Sequence, residues 1–250
     1  MAAVDLDQAE NAEAPQVAQL PPLSLADGGV AQIDAYFVNL ATFKRGVTPL
    51  GQGAVKHVYR VSRTNLVLCI PKNVAHKDSV EREHAKFEYL KDKDITIARV
   101  SDLFPAPCVD DLKSRVSPLN CSGIGFLEEL IVGIPVKPMQ GVATAPVTTQ
   151  TMAVTLGSSA LIKASISNGV WGHPDRLSIL ILDIVKIIAC HDGRHISLVD
   201  LQGFLKADGH FVLADPPTGD PGNAANVKNR TKLKNLITVL DIQRRKLLPS

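Results

Sequence analysis

Aromatic residues make up only 4% of the chain, and 27 Lys and Arg nearly balance 25 Asp and Glu, leaving a formal net charge of +2. A near-neutral chain with no dense Lys/Arg stripe interleaved with aromatics excludes a dedicated nucleic-acid binder. Cysteine is equally sparse. Cys69, Cys108, Cys121 and Cys190 stand far apart with no C-x-x-C pair, so neither a zinc knuckle nor a disulfide framework is indicated, and a reducing, cytoplasmic compartment fits best. Long apolar runs are missing too: the longest, Leu177 to Cys190, carries Asp183 and Lys186 and is too short and too charged to span a bilayer. The N-terminus lacks the basic and apolar regions of a secretory signal.

What is present suffices for an enzyme. A chain of 250 residues with 45% hydrophobic content can bury a substantial core, as one large domain or as two lobes sharing a cleft. Charge is uneven along it. Asp5, Asp7, Glu10, Glu13, Asp27 and Asp34 all precede the first basic residue, Lys44, and the correspondingly basic remainder suits an anionic ligand such as a nucleotide. Residues 1–30, rich in Ala, Gln, Pro and acids without periodicity, are expected to be disordered or loosely docked. A solvated leader is the plainer reading, and an address for export as an effector is the alternative. Asp34 to Phe43 reads as a short helix.

The most informative stretch is Ile196 to Pro217, ISLVDLQGFLKADGHFVLADPP. Ile196, Leu198 and Leu201 form one apolar run and Phe211, Val212 and Leu213 another, with Asp208-Gly209 between them as a hairpin turn signal. Such a hairpin brings Asp200 and Asp215 close in space, and neighbouring carboxylates invite a divalent cation. Solvated Asp residues at the ends of an ordinary hairpin are the bland alternative.

Upstream, VTPLGQGAVKHVYRVSRTNLVLCIPKN reads as strand, turn, strand. Gly51 and Gly53 would let backbone N–H groups approach phosphate oxygens, and Lys72, at the end of the following strand, would reach the same phosphates. A solvated strand-end lysine is the plainer reading of Lys72 alone. SVEREHAKFEYLKDKDI reads as a helix capped by Ser79. In it Glu83, Phe87 and Leu90 share one face at i, i+4 and i+7, so a buried Glu83 needs a cation, with Lys72 the obvious candidate. Glu88 is the reserve choice. GFLEELIVGIPV then reads as a strand entering a Gly133-Ile134-Pro135 bend that connects two lobes, where Glu128 or Glu129 lies within reach of a base edge. Residues 153–190 are expected as two helical pieces, the second a central helix apolar almost all round. A last helix over Thr231 to Leu247 ends on basic residues, which suits the macrodipole.

That order of elements resembles the protein-kinase superfamily. Asp200-Leu201-Gln202-Gly203 followed by Asp215-Pro216, together with Gly53-Ala54, Lys56 and Tyr59 in the glycine hairpin, resembles its atypical alpha-kinases. The resemblance implies an α+β, two-lobed kinase-like fold with a trimmed C-lobe, with 31–135 as N-lobe and 136–250 as C-lobe. It implies Asp200 as catalytic carboxylate, Gln202 and Asp215 as metal-shell residues, and Lys72 paired with Glu83. Gly51, Gly53, Lys56, Lys72 and Glu129 would contact nucleotide. The cofactors would be ATP and Mg²⁺ and the partner a protein substrate, with a pseudokinase or a small-molecule kinase as alternatives. Departures from the pattern are plain: no cysteine follows Cys190, so the alpha-kinase zinc site is missing, and the region after Asp215 is short. Ser197 stands where counting back from Gln202 would put the conventional catalytic Asp.

Overall fold

The computed structural model describes residues 47–61, 65–105, 124–217 and 219–249. The acidic leader, the Asp34 to Phe43 segment, Cys108 and Cys121 lie outside them. The architecture is α+β, as the sequence predicts. A glycine-bearing hairpin, β1 (Val47–Gln52) and β2 (Lys56–Val61), continues antiparallel into β3 (Leu66–Pro71) and β5 (Ile124–Glu129), with the short β4 (Phe104–Pro105) on the far edge. Strand β3 is buried along its whole length, which is why its LVLCIP run is apolar without alternation.

Helix α1 (Lys77–Leu90) buries Val80, Glu83, His84, Phe87 and Leu90, packing Val80 and Phe87 on this sheet and Leu90 into the core of the helical half. The i, i+4, i+7 reading of its inner face is therefore borne out. Its start is not where the sequence suggests: the helix begins two residues before Ser79, with His76 at the N-cap and no side-chain cap bond.

The connector after β5 runs into β6 (Ile134–Val136), which pairs with β7 (Gln202–Leu205), itself the partner of β8 (Phe211–Asp215). The turn at Asp208-Gly209 and the second strand are as expected, but the first strand is Gln202–Leu205 and the apolar run Ile196 to Leu201 is loop, so Gln202 rather than Asp200 stands opposite Asp215. The hairpin turn needs glycine: Gly209 has φ +97°, and a β-carbon there would lie 2.4 Å from the Arg176 carbonyl oxygen.

The helical half comprises α2 (Thr149–Ser158), α3 (Ala160–Ser167), the central α4 (Pro174–Asp192) and α5 (Ala225–Leu247). The first expected piece is split at Ser159, whose hydroxyl accepts from the Ile162 N–H as the N-cap of α3. Leu177, Leu180, Ile184 and Ile187 of α4 join Leu233, Leu236 and Leu240 of α5 in one core. Asp183 is buried in the middle of α4 because the β8 hairpin satisfies it: it accepts from the Phe211 N–H at 2.9 Å and from Thr96 Oγ1 at 2.8 Å. Among the described residues no helix is long and apolar enough to cross a membrane.

Candidate nucleotide cleft

Between the five-stranded sheet and the β6–β8 sheet lies a cleft of about 1010 Å³. Gly51, Gly53, Lys56, Val58 and Val67 line one wall and Gln202, Gly203, Ala214 and Asp215 the other, with Glu128, Glu129, Leu130 and Ile131 at the connector. The size and the mainly apolar lining with a few polar groups are those of a small-molecule site.

Glu83 is buried on α1 as expected, but its partner differs. The cation paired with it is Lys56, from the first residue of β2. Lys72 lies just past the end of β3, and its backbone N–H donates to Val55 O at 3.0 Å. The Lys72–Glu83 pairing is therefore corrected, and the reason is register. Cys69, not a lysine, is the β3 residue beside Lys56 and Glu83; it is opposite Val58 and fully buried. The lysine comes from the neighbouring strand instead.

A second carboxylate shares this inner end. Glu128 is 5% exposed, and Cys69 Sγ donates to its Oε2 at 3.5 Å. Burial pushes the Glu128 pKa up to about 8, against the opposing pull of Lys56. Burial also raises Glu83, again opposed by Lys56. On Lys56 the balance is reversed. Burial works against its charge, but the Glu83 carboxylate hydrogen-bonded to it, with Cys69 and Glu128 adding only in their charged forms, holds its pKa above the ordinary range. Burial keeps Cys69 a thiol. One ammonium thus faces two buried carboxyl groups, and the neutral-acid form of Glu128 relieves the imbalance. Glu129 takes the other face of β5: it lines the cleft beside the connector, half-buried, with Arg99 Nε 4.0 Å from its carboxylate. A glutamate inside a strand is ordinarily exposed, so only the strand's period of two distinguishes Glu128 from Glu129.

Gly51 and Gly53 both line the cleft, and a β-carbon on Gly51 would meet nothing within 4 Å. The Gly53 N–H is not available to a ligand, because it donates to Lys56 O at 2.9 Å and closes the hairpin.

On the opposite wall Gln202 Nε2 donates to Asp215 Oδ2 at 2.5 Å. Asp200 stands apart at the rim. Its side chain is 84% exposed, it does not line the cleft, and Lys137 Nζ lies 3.9 Å from its carboxylate. Its backbone is left-handed, with φ +57°, a conformation that Asp tolerates better than most residues. Ser197 is fully buried, accepts from the Val199 N–H and donates to Asn226. The place where a conventional catalytic Asp would fall is thus a structural loop residue. Asn226, at the start of α5, also accepts from the Leu198 N–H at 2.6 Å, and Asn229 donates to Leu198 O. Neither asparagine stood out in the sequence, because their partners are backbone groups of a distant loop. Among the described residues no cluster of three or more His, Cys, Asp or Glu is arranged to hold a metal.

No protein-family model matches the chain, and no curated protein gives a significant match. Among solved structures, the streptomycin–ATP ternary complex of APH(2")-IIa is similar over 87% of this chain and 84% of that one, at 12% identity and a TM-score of 0.36. Overlap at that level is too loose to transfer a role to any residue.

Proposed function

We propose that the chain is an atypical, ATP- and Mg²⁺-dependent kinase of the alpha-kinase-like kind, moving the γ-phosphoryl group to a protein hydroxyl. One observation supports this above the rest: a buried lysine–glutamate pair faces a Gln–Asp pair across a single cleft. Phosphoryl transfer needs positioning and charge neutralisation more than covalent chemistry. Lys56 holds the phosphates while Glu83 keeps its side chain extended into the cleft. The connector from Leu130 to Ile131 takes the base, between Val58 and Val67 above and Ala214 below. Asp200 accepts the proton of the acceptor hydroxyl, and its exposure at the rim suits a hydroxyl presented by a macromolecule from solvent.

Asp215 and Gln202 fit a hard divalent cation, because one carboxylate and one amide oxygen are enough for an ion that keeps its waters and the phosphate oxygens as its other ligands. Bound there, Mg²⁺ would neutralise charge on the phosphates. The two lobes are then those expected at 31–135 and 136–250, with the boundary drawn back to the bend at Gly133, because β6 (Ile134–Val136) pairs with β7 of the second sheet.

Thermal shift with Mg²⁺-ATP and transfer from radiolabelled ATP into a cell lysate test the reading, using variants at both lysines. Lys56→Ala is expected to abolish both signals and Lys72→Ala to keep them. In a Lys56→Gly background, Cys69→Lys should restore part of the binding, since it supplies the cation from β3. Equal loss from the two alanine variants would return Lys72 to the site. No shift and no transfer by the unaltered protein would leave the cleft without a nucleotide.

A further inference from the structure

Lys86 and Tyr89 lie on the flank of α1 beside its buried Glu83 face, and they reach the loop that carries Asp200. Tyr89 Oη lies 2.5 Å from His195 Nδ1, and Lys86 Nζ donates to His195 O at 2.7 Å. Rings and charges reinforce the contact. Tyr89 and His195 are 5.7 Å apart between ring centres, and the ammonium groups of Lys86 and Lys93 lie 5.2 and 4.9 Å from the Tyr89 ring centre. His195 is also seated from behind: a β-carbon on Gly193 would come within 2.9 Å of its ring, so the glycine is what lets the imidazole lie there.

From His195 the chain has little freedom before Asp200. His191 Nδ1 holds Ile196 O at 2.9 Å, and Asn226 and Asn229 hold Leu198. Three elements therefore fix the loop: α4 through His191, α5 through the asparagines, and α1 through the Lys86–Tyr89 contact with His195. Of these, α1 is the one that also carries Glu83, the partner of Lys56.

We propose that Tyr89, Lys86 and His195 form a clasp of positioning residues that ties the helix holding Lys56 to the loop holding Asp200. The proposal rests on the phosphotransfer reading of the cleft. Phosphate and acceptor then meet at a separation set by the clasp, although none of its three side chains lines the cleft. A phosphoryl group and a hydroxyl that are both bound but misaligned react slowly, so the clasp acts on turnover rather than on nucleotide affinity.

Tyr89→Phe removes the Oη contact and keeps the ring, and it is safe for folding because Tyr89 is 45% exposed. It should lower kcat about tenfold, with KM for ATP unchanged, and should speed amide hydrogen exchange over 194–200. Lys86→Met should act in the same direction and Lys86→Arg should recover most of the rate, since a guanidinium still donates to the His195 carbonyl. Glu88→Gln, on the same helix but in an exposed pair with Lys91, serves as the control and should change nothing. Unchanged kcat and unchanged exchange in Tyr89→Phe overturn the clasp. If the unaltered protein transfers no phosphate, the phosphotransfer reading fails and the clasp's role in turnover with it. That case is recognised because the exchange difference persists without activity.

Discussion

The two ends of the cleft hold charge by opposite means. At the inner end Lys56 and Glu83 have side chains 11% and 8% exposed, and Glu128 and Cys69 crowd the same space. At the rim Asp200 is 84% exposed and Lys137 55% exposed, and the pair is separated by 3.9 Å. Inner groups are fixed by one another, so each one's charge depends on its neighbours'. The rim carboxylate is fixed by its backbone, through a left-handed φ and a loop pinned on both sides, and its charge is screened by water. A residue at the inner end is therefore expected to affect folding and chemistry together, whereas one at the rim should affect chemistry alone.

The largest effect tests the first half of that contrast. Lys56→Ala leaves two buried carboxyl groups without their cation, so it should cost on the order of 3 kcal/mol of stability. It should also lower phosphate transfer by about 10²–10³-fold through lost charge stabilisation. Urea unfolding and transfer assays on one preparation measure both. A variant that is inactive but as stable as the parent would show that the pair is not the buried unit described above.

Asp200→Asn tests the other half. Asn is at home in left-handed backbone, so the loop should keep its shape and the urea midpoint should stay within about 0.5 kcal/mol of the parent. Loss of the proposed proton acceptor should slow transfer about 10²–10⁴-fold with Mg²⁺-ATP binding retained. If Asp200→Asn turns over normally, another group deprotonates the acceptor.

These two residues also show what could be read before the structure. The turn and the strand that ends in Asp215 were legible because Asp208-Gly209 and the Phe211 to Leu213 run are local signals, and the burial of Glu83 was legible from helical period, whereas the apolar run before Asp200 proved to be loop. The lysine was not legible. Which strand delivers the cation depends on sheet register: β2 pairs with β3 so that Lys56 lies opposite Pro71 and Val58 opposite Cys69, and nothing within either segment encodes that. The burial of Glu128 beside Cys69, the role of Asn226 and the Tyr89–His195 contact escaped for the same reason. Each owes its role to a partner far away in sequence, 59 residues for Glu128 and Cys69 and 106 for Tyr89 and His195.

A smaller effect sharpens the picture of the inner end through pH. The Glu128 pKa lies near 8 in the folded chain against an ordinary 4.5. Between those values the folded state keeps a proton that the unfolded chain has released, so ν_U − ν_N is negative and stability falls as pH rises. The contribution is complete below the ordinary value and is lost as pH climbs through the folded one. Glu128→Gln removes the titration and should flatten the stability curve between about pH 5 and about pH 8. The same slope in parent and variant would place the buried proton on another group.

The smallest expected effect is at the rim, where Lys137→Ala removes the ammonium beside Asp200. An exposed pair contributes only about 0–1 kcal/mol, so the melting temperature should be unchanged. What remains is a local field at the carboxylate. Loss of the ammonium should alter transfer severalfold at low salt, and the difference from the parent should close as ionic strength approaches the physiological range, where screening acts over about 8 Å. Lys56→Ala should show no such closing, because its partners are shielded from ions. Measuring both variants across one salt series compares the two ends in a single experiment: a salt-sensitive defect at Lys56, or a salt-insensitive one at Lys137, would break the division between a buried inner end and a solvated rim.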